Sequence, residues 1–227
     1  SSNKLYFKGI GDVDFIGDAT LSGGVYAQNL SHEPDSTPGL NFTGNVTLTG
    51  PMEFEGTSAT FANGVEAAGN DLTLNFTQTS TLDGFNNVGN FTSVGAVDLN
   101  GNFTTSGSQT YEGNVSLSGD AELTATTVDF EGGVAGNSNN LSLSPSSSFM
   151  KLDGIILSDV NELTIGGDIE LSGDISASEI DIQGDIMLTG DSVINATSSL
   201  TISNGTGTFD GPYNLSLVSS GNGSILL

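Results

Sequence analysis

Short runs in which apolar and polar residues alternate recur along the whole chain, separated by glycine and by asparagine or aspartate. Val46-Thr47-Leu48-Thr49 is typical. A period of two puts Val46 and Leu48 on one face and the threonines on the other, as in a half-buried strand. The fuller pattern reads Gly, Asn or Asp, apolar, any residue, Leu, Ser or Thr, Gly. It occurs at 17–23, 44–50, 113–119, 167–173 and 184–190. Each copy predicts a short strand between two turns, because glycine and Asn or Asp supply backbone that tolerates positive φ. The inward positions are then Val46, Leu48, Val115, Leu117, Ile169, Leu171, Ile186 and Leu188. No segment has the length and 3.6-residue period of a helix, which excludes folds that alternate strands with helices.

A longer echo overlies this pattern. Gly44, Gly113 and Gly184 head copies 69 and 71 residues apart, and Phe61, Val65, Leu72 and Leu74 return as Phe130, Val134, Leu141 and Leu143. The expected organisation is one domain, 1–227, of about three units of roughly 70 residues. These are 44–112, 113–183 and 184–227, the last continued in phase by 1–43, with an insertion near 31–39. Gly89, Gly101 and Gly113 open strands at intervals of 12 residues, so each unit divides into three coils of about 23. The expected fold is all-β, a parallel β-helix or β-solenoid. At ~4.8 Å per coil, about ten coils make a rod on the order of 50 Å long. A sandwich array also uses short alternating strands, but the chain has no Trp or Tyr that reads as a core anchor and few proline-marked joints. Phe61, Phe91, Phe103 and Phe130 take inward positions.

Composition limits the partners. With 32 glycines, 35% apolar residues and no cysteine or tryptophan, the core is thin, and only the alternation distinguishes the chain from a disordered one. Twenty-seven acids face three lysines, Lys4, Lys8 and Lys151, for a net charge of −24. Nucleic acid and anionic membrane both require a basic footprint and are excluded as partners. No stretch approaches the ~20 apolar residues of a membrane span. The opening Ser1-Ser2-Asn3-Lys4 has neither an initiator Met nor a signal-peptide core, so a mature product or an excised segment is expected.

The segments Gly101-Asn-Phe-Thr-Thr-Ser-Gly-Ser-Gln-Thr-Tyr-Glu-Gly-Asn-Val-Ser-Leu-Ser-Gly119 and Leu200-Thr-Ile-Ser-Asn-Gly-Thr-Gly-Thr-Phe209 resemble the repeat regions of filamentous-haemagglutinin-like proteins, large secreted bacterial surface proteins. The resemblance covers most of the chain at the level of repeat and composition. It implies a right-handed parallel β-helix, export to the cell surface or the extracellular space, and an adhesive or structural role. The secretion-domain signature of that family is not found here.

Candidate chemistry is sparse. Asp168, Asp174, Asp181, Asp185 and Asp191 offer carboxylate pairs for a polysaccharide hydrolase, but they recur beside turn glycines, where Asp belongs for local reasons. A lyase needs a basic residue, and three lysines and the single His32, in the proline-containing insertion, leave almost no candidates. No catalysis is expected. No cofactor is expected either; calcium is the candidate cation, since Asp- and Asn-rich loops are hard ligands, with diffuse screening as the alternative. Asn-x-Ser/Thr occurs at Asn41, Asn45, Asn75, Asn90, Asn102 and Asn114, and also at Asn29, Asn140, Asn195, Asn204, Asn214 and Asn222. The turn-strand motif generates such triplets by itself; glycosylation of an extracellular rod is the functional reading.

The ends carry the last expectation. A solenoid normally hides its terminal coils, because open strand edges recruit other chains. Here one end reads Leu5-Tyr6-Phe7 and the other Ile225-Leu226-Leu227, neither of them a polar cap, and the repeat that breaks off at one end resumes at the other. The expected function is an extracellular structural subunit that stacks head to tail on copies of itself, with Leu5, Phe7, Ile225, Leu226 and Leu227 at the interface. The alternatives are a segment of an adhesin that binds host or surface glycans and, third, a polysaccharide-active β-helix enzyme.

Overall fold

The alternating segments form strands, and no helix occurs among the described residues. The structure is a computed structural model and describes residues 4–9, 13–29, 39–145, 150–153, 157–203, 209–220 and 224–227. His32, Asn204, Asn222 and all but the last residue of the insertion near 31–39 lie outside them, as do the side chains of Leu5, Phe7 and Asn29.

All strand pairings are parallel, and the chain winds as a β-solenoid whose coils have three sides. Lys4–Gly9, Val13–Phe15 and the start of Ala19–Asn29 lie on the first, second and third sides in turn. Each is followed one coil later by a parallel neighbour. Some strands cover two sides without a break. Val46–Gly56 runs from the third side onto the first, and Val115–Ala125 from the second onto the third, with register shifts at such corners, as between Leu99 and Gly101.

The core is built from columns. On the second side Phe15, Phe42, Phe61, Leu82, Leu99 and Leu117 stand in successive register. Phe42 is sandwiched by stacked rings, with centroids 4.4 Å from Phe15 and 4.9 Å from Phe61. The eight inward positions read from the alternation are all buried, at 5% exposure or less, as are Phe61, Phe91, Phe103 and Phe130. Each such side chain contributes about 1.5–3 kcal/mol by leaving water.

The motif glycines do two jobs. Gly17 and Gly101 take positive φ, +92° and +97°, as turns require. Gly44, Gly113 and Gly184 do not; they lie so close over Gly17, Gly95 and Gly167 of the preceding coil that a Cβ would overlap its backbone.

Two features differ from the sequence expectation. The coil is smaller than 23 residues over much of the chain: residues in equivalent positions are 17 apart at Asp168 and Asp185 and 19 apart at Asp71 and Asn90. The spacing reaches 27 at Asp18 and Asn45, which bracket the insertion. The 69-residue echo is therefore not a coil-to-coil relation. Val46 stands on the third side, in register with Ala19 and Val65, whereas its echo Val115 stands on the second, between Val97 and Val134. In addition, the core does hold a tyrosine. Tyr111 is fully buried and stacks on Phe130, its hydroxyl bonded to the equally buried Gln109.

Candidate assembly surface

The corners explain the acidic and amide residues. At a corner, a side-chain oxygen of one coil accepts the backbone N–H of the coil that follows. Asp168 Oδ1 accepts from Asp185 N at 2.8 Å, Asp174 Oδ1 from Val193 N at 3.0 Å, and Asp191 Oδ1 from Asn214 N at 2.9 Å. Amides continue the series: Asn90 donates to Asp71 Oδ1 through both its backbone N and its Nδ2, and accepts from Ser108 N. These groups would otherwise be backbone donors with no strand partner, so the ladder secures one coil on the next where the sheet is interrupted. Asp181 instead accepts from Gln183 Nε2 at 2.8 Å. Of the carboxylates named as candidate catalytic pairs, Asp168, Asp174 and Asp191 are thus held singly along the corners by bonds between coils.

No group of three or more His, Cys, Asp or Glu side chains arranged to hold a metal occurs among the described residues. A groove of about 580 Å³ is lined by Asn45, Asn63, Glu66, Asp83, Asn86 and Asn102 together with Val65, Phe85 and glycines. Among the glycosylation candidates, Asn45, Asn90, Asn102 and Asn114 are exposed, and Asn41 and Asn75 half-buried. The amides of Asn41, Asn45 and Asn90 donate to Asp14, Asp18 and Asp71, so these three serve the ladders.

One carboxyl is displaced in its titration. Burial raises Asp98 above the ordinary carboxylate value; a hydrogen bond from Ser118 partly offsets this, and the nearby Asp83 adds to the rise. Its Oδ1 is buried without a hydrogen-bond partner.

The open surface is at the C-terminal coil. Phe209–Asp210, Leu215–Ser219 and Ser224–Leu226 each pair with one described strand, on the first, second and third sides. Apolar side chains are exposed in the same place. Ile225 is 42% exposed, whereas Leu200, its register partner one coil earlier, has no exposure. Leu226 and Leu227 are 63% and 71% exposed, and Tyr213 and Val218 are exposed beside them. Leu215 and Leu217 are only partly buried against the core. At the other end Val13, Phe15, Ala19 and Leu21 are likewise partly buried, and Phe15 is covered by an aromatic ring on its Phe42 face. Lys4–Gly9 pairs with the strand that includes Gly24–Asn29 and with no other described strand. Leu5 and Phe7 stand within it.

No helix among the described residues is long and apolar enough to cross a membrane. In comparisons with known proteins, no family model, no curated protein and no solved structure matches the chain.

Proposed function

We propose that this protein is an extracellular structural subunit whose copies stack head to tail, the C-terminal coil of one continued by the N-terminal coil of the next. The observation that carries the reading is that Phe209–Asp210, Leu215–Ser219 and Ser224–Leu226 each pair with one described strand and that Ile225, Leu226 and Leu227 are exposed beside them. The order of sides supports a second copy as the occupant. Within the chain, every third-side strand is followed by a first-side strand, as Val46 to Leu48 is followed by Met52 to Gly56. Ser224–Leu226 is on the third side and Lys4–Gly9 on the first. A copy placed end to end therefore resumes the winding without a skipped side. The interface is heterologous and does not close on itself, so it propagates as a filament.

The resemblance to filamentous-haemagglutinin-like repeats agrees with a secreted rod. A glycan-binding surface draws on exposed aromatic rings, and here Phe42, Phe54, Phe61, Phe91, Phe103 and Tyr111 are all spent on the core. That favours structure over adhesion and over polysaccharide chemistry.

Sedimentation velocity and negative-stain microscopy of the 227-residue chain at moderate salt test the proposal. Rods that lengthen with concentration in steps of one solenoid are expected. A species that stays monomeric at high concentration overturns it.

A further inference from the structure

We propose that a two-rung gap in the corner column before the third side is a binding site for a short neutral saccharide. It does not rest on the head-to-tail reading.

The gap follows from register. Val46, Val65, Phe85 and Phe103 are successive rungs on the third side. The residues just before them, Asn45, Gly64, Gly84 and Asn102, therefore form the corner column, in which Asp18 precedes Asn45 and accepts its backbone N–H. Two rungs of that column are glycine. Both are buried and take positive φ, +74° at Gly64 and +97° at Gly84. A Cβ on Gly64 would meet Gly84 O at 2.8 Å, and one on Gly84 would meet Asn102 O at 2.7 Å. No side chain fits, so the column is hollow for two coils. With rungs ~4.8 Å apart, Asn45 and Asn102 stand ~14 Å from each other across the hollow. This is the groove of about 580 Å³, a size usual for small-ligand sites. Asn63 and Asp83 line it just before the glycines, and Glu66 and Asn86, in register with each other, just after.

The lining holds unspent hydrogen-bonding groups. Corner amides elsewhere bond to the coil before, as Asn90, Asn100 and Asn214 do to Asp71, Asp83 and Asp191. Asn45 and Asn63 are bonded likewise, to Asp18 and to the Thr43 carbonyl. The side chains of Asn86 and Asn102 are exposed and have no hydrogen-bond partner among the described residues. An amide offers donors and an acceptor side by side, and a hydroxyl complements both; the Glu66 and Asp83 carboxylates accept from further hydroxyls.

The same lining disfavours other ligands. No Lys or Arg is among the described residues that line the groove, so an anion meets repulsion from Glu66, Asp83 and a net charge of −24. A hard cation finds two carboxylates there, and no group of three acids arranged to hold a metal occurs among the described residues. Val65 and Phe85 are 4% and 2% exposed, which leaves neither a ring face for stacking nor an apolar pocket for a peptide side chain. Hydrogen bonds alone hold the saccharide, and the affinity is on the order of millimolar.

Saturation-transfer difference NMR on the full chain tests this, since it reads weak ligands on single subunits and on filaments alike. The probes are maltotriose, cellotriose and triacetylchitotriose, with trigalacturonate as the anionic control. Transfer to at least one neutral sugar and none to trigalacturonate is expected. Asn86→Ala and Asn102→Ala, each alone, are expected to raise Kd about three- to tenfold with the melting temperature unchanged. The proposal is overturned if none of the three neutral sugars receives transfer, if trigalacturonate receives as much, or if both substitutions leave Kd unchanged. Calcium binding by titration calorimetry that Asp83→Asn abolishes, with no sugar signal, overturns it in favour of a cation site.

Discussion

Tyr111 donates its phenolic hydrogen to Gln109 Oε1 at 2.8 Å, and neither side chain has any exposure. The Gln109 amide completes the set by donating to the carbonyls of Phe103 and Thr124, at 2.8 and 3.1 Å. Replacing Tyr111 by Phe leaves Gln109 Oε1 buried without this donor, at a cost of about 1–3 kcal/mol, read from denaturant or thermal unfolding. Burial also pushes the Tyr111 phenol far above its ordinary value. A raised folded-state value means the folded chain holds a proton that the unfolded chain releases, so the contribution is complete below about pH 10 and is lost as pH rises above it. The unsubstituted chain is expected to lose stability above that pH more steeply than Tyr111→Phe. Parallel alkaline profiles contradict the assignment.

Gly184 and Gly166 separate close approach from mere turn composition. A Cβ on Gly184 would overlap the Gly167 backbone, whereas on Gly166 its nearest contacts are ordinary, 3.6 Å to Ser144 Oγ and 3.8 Å to Leu143 O. Gly184→Ala is expected to cost about 1–3 kcal/mol or more. Gly166→Ala should fall within about 0.5 kcal/mol of the unsubstituted chain. Equal melting temperatures for the two variants contradict the stacking of corner glycines.

Asp98 gives a dependence of the same sign at acid pH. Its folded-state value is raised by burial above the ordinary 3.8, so the protonated form is favoured in the fold, and its contribution falls as pH rises through the folded-state value. Asp98→Asn keeps the shape and removes the buried charge. The variant is expected to be more stable than the unsubstituted chain at neutral pH, with the difference shrinking toward about pH 3, where both side chains are uncharged. A variant less stable at neutral pH contradicts this.

The inward face was legible because pleating alone places alternate residues on opposite sides, so Val46, Leu48, Ile169 and Leu171 follow from local pattern and are buried. The coil was not. Every side uses the same turn-strand pattern, so recurrence along the chain counts sides, and nothing local says that three of them close a turn. That is why Val46 and Val115 echo each other in sequence yet stand on different sides. Gln109 was hidden for the opposite reason, since it fills an inward slot that Phe91 and Val128 occupy in the adjacent coils, and Ser108-Gln109-Thr110 shows no alternation. Ile225, Leu226 and Leu227 were legible as apolar residues, and they are exposed in the last coil.

The corner ladder makes a prediction of its own. Asp168→Ala removes the acceptor for the Asp185 N–H and is expected to cost about 1 kcal/mol, whereas Asp168→Asn, which keeps a side-chain oxygen there, should cost less. If both variants unfold with the unsubstituted chain, the ladder contributes nothing to stability.

Continuity of one winding from copy to copy is tested most directly by cryo-electron microscopy with helical reconstruction of filaments grown from the 227-residue chain. The expected map shows one uninterrupted three-sided solenoid with strands ~4.8 Å apart through every junction. In it, Ser224–Leu226 on the third side is followed by Lys4–Gly9 of the next copy on the first. Copies meeting C-terminal edge to C-terminal edge, rods associating through their flanks, or a field of single short rods would contradict it.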